Sequence, residues 1–508
     1  MLKGHPKGLI PASLANMGER FGFYTMMAIL VLFLQAKFGL SGTNAGYIYA
    51  AFYFSIYGFA LIGGIIADRI KNYKGTIFTG LILMGLGYMI MAFPTPTPVS
   101  NVPLFLSLSI AGLFVIAFGN GLFKGNLQAL VGQMYDNEKY GPMRDSGFSL
   151  FYAFINVGAI FAPFTAVGIR NWWLESNGYT YDASLPEQAH AYLSGGMSAD
   201  NVSNFQHYAD TASGSTVSDL TVFSNEYLNV FNTGFHYAFG IAIIAMVIST
   251  VIYLTNKKNF PDPKGVKKDA SGNITEEIKM EAKEVAQRMY ALFAVFAVVI
   301  FFWFSFHQNG LTLTFFAKDY TLLQFGDWKF SAEIFQSMNP FFVVFLTPVI
   351  VGLFGWLRVR GIEPSTPKKI AIGMGIACLA FVVMLLGSLG LPLLSEISSS
   401  MGGTPLEDSQ KVTPYLLLGT YFILTVAELF ISPMGISFVS KVSPPQYQGM
   451  MQGGWLGATA LGNGLLFIGA ILYESIPIWM TWGIFVVATA ISMLTVLFMV
   501  KWLERVAK

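Results

Sequence analysis

Four ionisable side chains, Glu19, Arg20, Lys124 and Glu428, fall inside long apolar stretches of this 508-residue chain, whereas the other acidic and basic residues fall in loops or near the ends of such stretches. A charge at the centre of a hydrocarbon layer costs about 2.5–3.5 kcal/mol on insertion scales, so such groups face a bundle interior or a water-filled cavity. Arg20 and Lys124 stand in the first half of the chain, and Glu428 stands alone in the second. That polarity suits a zwitterion: its carboxylate meets the planar, bidentate guanidinium of Arg20, and its ammonium meets Glu428 across the boundary between halves. The competing reading is structural glue, in which Glu19 holds Lys124 and Glu428 answers a backbone dipole. In the functional reading Glu19 orients Lys124 or takes a proton, since burial and a neighbouring cation act on a carboxyl group in opposite senses. His307, in FWFSFHQNGL, is a fifth ionisable group at depth. An unperturbed imidazole titrates near neutrality, so this residue reads equally as a coupling site or as a hydrogen-bonded polar filler. Tyr24, Tyr57, Trp303 and Trp455 carry apolar faces with polar tips, suited to a pocket for side chains of varied size; taken singly, each also reads as ordinary helix packing.

The elements that must position these groups follow from composition. At 54% hydrophobic and 11% charged residues, against about 25% charged in soluble domains, the chain belongs in a bilayer. A net charge of +2 without a basic, aromatic-interleaved stripe gives no reason to expect a nucleic-acid partner. The single cysteine, Cys378, excludes an intrachain disulfide framework and reads as packing. The N-terminal apolar run is long enough to span and lacks a small-residue cleavage site, so it reads as a retained segment rather than a signal peptide. Spans of about 20 residues are expected near 14–36, 46–68, 75–94, 102–125, 147–169 and 234–255, then near 289–316, 333–356, 369–391, 413–439, 449–473 and 477–501. The expected plan is all-α: an N-terminal six-helix bundle over 1–255, a cytoplasmic linker with an amphipathic helix over 256–288, and a C-terminal six-helix bundle over 289–508. A weak internal echo, GGIIADRIKNYKG against GLFGWLRVRG, falls at matching junctions of the two halves, and two such halves around a midplane site are the plan of a major facilitator. Basic residues concentrate on the side of both termini, with only Lys37, Arg170, Lys318, Lys329 and Lys411 on the other, which puts the termini in the cytoplasm. The loop 171–233, acidic and without Lys or Arg, is expected outside as a partly ordered cap or a disordered loop. Glycines at 119, 121, 125, 453, 454 and 457 allow close helix approach, and Pro340, Pro348 and Pro433 break backbone ladders within spans.

Several segments resemble, in order and at family spacing, the proton-dependent oligopeptide transporter (POT) family, the peptide-transporting branch of the major facilitators. The segments are Asn16 to Tyr24 (similar to the signature ExxERFxYY), GGIIADRI after Tyr57, GNGLFKGN, RDSGFSLFYAFINVGA, FQSMNP, AELFISPMG and GMMQGGWLGATALGN. The resemblance implies that Arg20, Tyr24 and Lys124 hold a peptide carboxylate, that Tyr57 and Asn156 lie beside its backbone, and that Asn339 and Glu428 take its amino terminus. Trp303, Ser432 and Trp455 match positions lining the side-chain pocket, and Glu19, Lys124 and His307 are the expected proton-coupling groups. Three positions depart from the pattern: Asn16 replaces the first glutamate of the signature, Met27 an arginine of the first span, and His307 a glutamate of the seventh. If those last two family positions form an ion pair, both partners are lost together here and no orphan charge remains. The implied activity is import of di- and tripeptides with protons by alternating access, at the plasma membrane (bacterial cytoplasmic membrane), by a monomer, with the proton gradient as energy source and no cofactor. Rivals are a carrier of the same fold for an amino-acid derivative, nitrate-like anion or other metabolite, and a transceptor. HEXXH, phosphate-loop and nucleophile-elbow patterns are absent, so an enzyme is not expected.

Overall fold

Backbone amides and carbonyls that cross a bilayer must find partners within the protein, and continuous helix supplies them residue by residue. The computed structural model describes residues 4–70, 72–135, 137–140, 143–261, 282–444 and 447–507. It contains 12 helical passages long and apolar enough to cross a membrane. The first half runs through α1 (Leu9–Phe38), α2 (Gly42–Ile70), α3 (Tyr73–Ala92), α4 (Val102–Met134) and α5 (Arg144–Ser176). Two shorter helices, α6 (Leu185–Leu193) and α7 (Ala199–Ser213), then lead to α8 (Leu220–Thr255). The second half begins with α9 (Ala282–Phe306), which passes through a 3-10 turn at His307–Gly310 into α10 (Thr312–Tyr320). A small hairpin of Gln324–Phe325 with Trp328–Lys329 and a 3-10 turn at Ala332–Ser337 lead into α11 (Met338–Val359). There follow α12 (Thr366–Gly387), a single turn α13 (Leu394–Ile397), α14 (Pro414–Val442), α15 (Gln448–Gly464), α16 (Phe467–Ser475) and α17 (Ile478–Val506). The even number of crossings brings both chain ends to one side, here called the terminal side; the opposite is the far side.

All of the expected spans form, and two differ from the single helices expected. The seventh is interrupted at His307–Gly310 and the eleventh between α15 and α16. The amphipathic linker helix expected within 256–288 lies largely outside the described residues, α9 being helical from Ala282. The 171–233 segment is fully ordered. Asp219 accepts from the Thr221 and Val222 amides at 2.8 and 3.2 Å, so α8 starts well before its apolar run. Phe223, Tyr227 and Phe231 then bury their rings in one core with Leu185, Ala189 and Phe205 of α6 and α7. Of the two readings of this segment, the cap is the one that forms, and it is more fully ordered than expected because its few apolar residues, spaced for two short helices amid polar residues, find their burial against α8.

The halves meet along two seams, α2 with α15 and α16, and α5 with α11 and the preceding 3-10 turn. Close approach within a half needs bare backbone: a Cβ on Gly63 would stand 2.1 Å from the Gly121 carbonyl oxygen, which lets α2 lie against α4. The cross-half hydrogen bonds are on or toward the far side. Gln336 Nε2 donates to Ala28 O at 3.1 Å and Ser337 Oγ to Ile160 O at 2.9 Å. Asn201 Nδ2 reaches the carbonyls of Gly402 and Gly403, at 2.9 and 3.0 Å. Glu187 of α6 accepts from Ser398 Oγ, from Ser400 N and Oγ and from Lys318 Nζ, fastening the cap of the first half to the second. The described hydrogen bonds between the halves thus fasten them on or toward the far side. Tyr152 and Val157, on the terminal-side half of α5, are exposed.

Candidate functional site

Between the seams the charged residues of α1 and α4 face α14. Glu19 and Arg20 are buried and bind each other in a fork, Arg20 Nε to Glu19 Oε2 at 2.5 Å and Nη2 to Oε1 at 2.6 Å. Asn120 Nδ2, one turn before Lys124 on α4, donates to Glu19 Oε1 at 2.7 Å. The Glu19–Lys124 pairing considered from sequence is therefore not the one formed, because adjacency on α1 lets Arg20 fold back onto its neighbour. Lys124 instead places Nζ 4.5 Å over the Tyr57 ring, within the fields of Arg20 and Glu19, and makes no ion pair among the described residues. Tyr24, one turn beyond Arg20, stands beside its guanidinium. Asn156 is buried on α5 and donates to the Tyr152 carbonyl at 3.1 Å.

In the second half, Glu428 of α14 accepts from Asn339 Nδ2 at 2.8 Å, and the same amide group reaches Thr425 Oγ1 at 3.1 Å. No cation pairs with Glu428 among the described residues, and its charge is felt by Tyr24, Tyr57 and Tyr152 of the opposite half. Ser432 follows one helical turn later, half-buried. Trp455 packs over Gly435, where a Cβ would lie 1.9 Å from its ring, so only glycine lets this indole lie flat against α14. Arg20 and Lys124 against Glu19 leave one net positive charge on the first half, facing one uncompensated negative charge on the second.

His307 sits at the break in the seventh span. Its ring stacks on Trp303 with centroids 4.8 Å apart and lies 4.8 Å from Tyr53 of the first half. Its Nδ1–H donates to Asn463 Oδ1 at 2.5 Å, near the break in the eleventh span. It thus joins both interrupted helices to the α2 seam. The Trp303 indole N–H is buried and has no partner among the described residues.

Sequence reading passed over Arg170 and Glu333, which it placed at helix ends. Both side chains are fully buried, and Arg170 Nη1 pairs with Glu333 Oε1 across the α5 seam. Arg170 Nη2 donates to Ser331 Oγ at 2.8 Å, and its guanidinium lies 4.1 Å from the Tyr181 ring centroid. A lone arginine beside an acidic segment was the available signal, but nothing in the sequence said that the 3-10 turn carrying Glu333 would dock against it. Asn120 and Asn463 were also missed as partners, although both stand in the quoted motifs.

A peptide transporter of Yersinia enterocolitica, YePEPT, is 28% identical over 485 residues, covering 91% of this chain and 86% of its own length. YclF of Bacillus subtilis, an uncharacterized transporter, is 27% identical over 501 residues, covering 94% and 90%. A crystal structure of the peptide transporter POT in complex with sulfate matches at a TM-score of 0.73 over 100% of this chain and 96% of that one; at 23% identity the likeness is one of fold, that of the major facilitators. The POT family model matches residues 74–278 and 266–480, reaching into both halves, and the chain belongs to the POT family.

Proposed function

We propose that the protein imports di- and tripeptides together with protons, by alternating access, as a multi-pass protein of the plasma membrane. The observation that carries this reading is that Arg20 and Lys124 of the first half and Glu428 of the second, which has no cationic partner among the described residues, lie about the same tyrosines, Tyr24 and Tyr57. A peptide's carboxylate meets the cations, its ammonium meets Glu428, and a simple anion would leave Glu428 without a partner. The name of the relative YePEPT supports the same cargo. The excess of Lys and Arg on the terminal side makes that side cytoplasmic, so the far side, where the hydrogen bonds between the halves lie, faces outward. Both faces of the site come from one chain, so a monomer suffices. The proton gradient supplies the energy, and no cofactor enters the cycle.

Proton coupling follows from how Arg20 is occupied. A proton on Glu19 dissolves its fork with Arg20 and frees a bidentate face for the substrate carboxylate, while Asn120 keeps the carboxyl group in place. Lys124, one turn from Asn120, supplies the second cation, and its charge reaches His307. His307 transmits the state of the pocket to the breaks in the seventh and eleventh spans. A bound peptide that bridges Arg20 to Glu428 draws the two halves together, and release toward the cytoplasm resets the carrier. The test is dipeptide uptake by the reconstituted protein under an imposed proton gradient. Lys124→Ala is expected to abolish gradient-driven uptake while peptide exchange without a gradient persists. Undiminished driven uptake would remove Lys124 from the coupling.

A further inference from the structure

On the terminal side of the second half lies an open cavity of about 930 Å³, bounded by the ends of α11, α12, α14 and α17. Its charges divide into two groups. Glu363 is committed: it accepts from Arg358 Nε at 2.7 Å and pairs with Lys369 Nζ at 2.5 Å. These bonds, Arg358's first, hold its carboxyl group down at about 2. Glu504 pairs with Lys368 at 3.0 Å and accepts from Ser365 Oγ at 2.5 Å. The second group is Lys441, Lys501 and Arg505, all exposed around the same cavity and none with an acidic partner among the described residues.

Three uncommitted cations converge on a cavity whose carboxylates are already engaged. The depth of the cavity in the bilayer is marked by Arg360, which stacks 3.9 Å over Trp356 at the end of α11, an aromatic and basic pairing typical of the headgroup layer. Met434, Ser437, Phe438 and Lys441 line one wall at i, i+3, i+4 and i+7 of α14. That wall belongs to the part of α14 between Pro433 and its terminal-side end, the same helix that carries Glu428.

We propose that this cavity is a binding site for a phosphate anion, held by Lys441, Lys501 and Arg505 and presented by the headgroup of an acidic phospholipid or by free phosphate. Basic pockets between helix ends at the headgroup layer favour such groups, each cation contributing about a factor of five in affinity. An occupant braces the terminal-side portion of α14 against α12 and α17 and so bears on the helix that presents Glu428.

The full-length protein, purified and exchanged into mixed micelles with equal parts phosphatidylcholine and phosphatidylglycerol, would be examined by native mass spectrometry for retained lipid. Preferential retention of phosphatidylglycerol is expected, with an affinity about 25-fold lower in Lys441→Gln/Arg505→Gln and preserved in the charge-conserving control Lys441→Arg. Unchanged melting of each variant in phosphatidylcholine establishes that it is folded. On the wild-type protein, inorganic phosphate at constant ionic strength is expected to displace phosphatidylglycerol. If phosphate raises the melting temperature of the wild type but not of the double glutamine variant, while neither lipid is preferred, free phosphate is the occupant. Equal retention of both lipids together with no phosphate effect, or binding that survives the double glutamine substitution, would overturn the proposal.

Discussion

Arg170→Leu tests what holds the far side shut. The substitution leaves Glu333 fully buried with no cation, and one of its oxygens, Oε2, already lacks a hydrogen-bond partner among the described residues. Removing one member of a buried ion pair costs about 3–5 kcal/mol. Because the seam that buries Glu333 opens to water when the halves part on the far side, that cost falls on the closed state alone. At about 1.4 kcal/mol per factor of ten, the closed population should fall relative to the open one by about a hundredfold to a few thousandfold. The assay is a distance distribution between spin labels at Trp172 and Trp328, exposed positions on the two halves, in a Cys378→Ser background. Arg170→Leu is expected to lengthen the distance, and Arg170→Leu/Glu333→Leu to restore the short one, because the double variant buries no charge. A distribution for the single variant identical to wild type would refute the argument. So would a double variant as open as the single one, which would assign the effect to lost packing.

Glu428→Gln is expected to weaken binding of free-amine dipeptides by about tenfold to a hundredfold, the worth of a charge-assisted hydrogen bond of about 1.5–3 kcal/mol, and to affect N-acetylated peptides far less; calorimetric titration distinguishes the two, and equal losses would remove Glu428 as the ammonium partner. Gly435→Ala puts a methyl group into the Trp455 ring, whose nearest atom lies 1.9 Å from the added carbon, and should destabilise the fold by about 1–3 kcal/mol with loss of peptide-dependent thermal stabilisation. A variant that melts and binds like wild type would show that Trp455 has room to move. At Glu187, burial alone would raise the carboxyl group, but the Lys318 charge and the hydrogen bonds from Ser398 and Ser400 outweigh it and hold the group below its ordinary value of 4.5. The stability this charge adds is complete above that value and lost as pH falls through the lowered one. The melting difference between wild type and Glu187→Gln should therefore be constant above about pH 5 and shrink in stronger acid; a difference that disappears between neutrality and pH 6 would contradict the sign.

The spans and the two-sided charge pattern were legible because a bilayer penalises polarity so heavily that hydrophobic runs and their exceptions stand out in one dimension. Glu19, Arg20, Lys124 and Glu428 are such exceptions, and the structure brings all four near Tyr24 and Tyr57. The partner of each was not legible. Glu19 binds Arg20 and Asn120 rather than Lys124, and Glu428 binds the Asn339 amide group. Partner choice depends on rotamers and helix phase, which differ by ångströms that no sequence spacing encodes. The full order of the α6–α7 cap was less legible for another reason: its few apolar residues gain their burial from α8, across two turns, one capped by Ser198 before α7 and one by Asp219 before α8.

Sequence by itself determined that the chain crosses a membrane, where it does so, how it divides into halves, and which side chains cannot be explained by lipid. Those properties are sums over residues, and transfer free energies add along a chain. Only the tertiary structure decided that His307 ties two broken spans to the opposite half, that Arg170 and Glu333 close the far side, and that three terminal-side cations share a cavity. Each of these depends on residues distant in sequence meeting in space. Burial then gives a charge pair its strength through the loss of water, a condition set by packing rather than by composition.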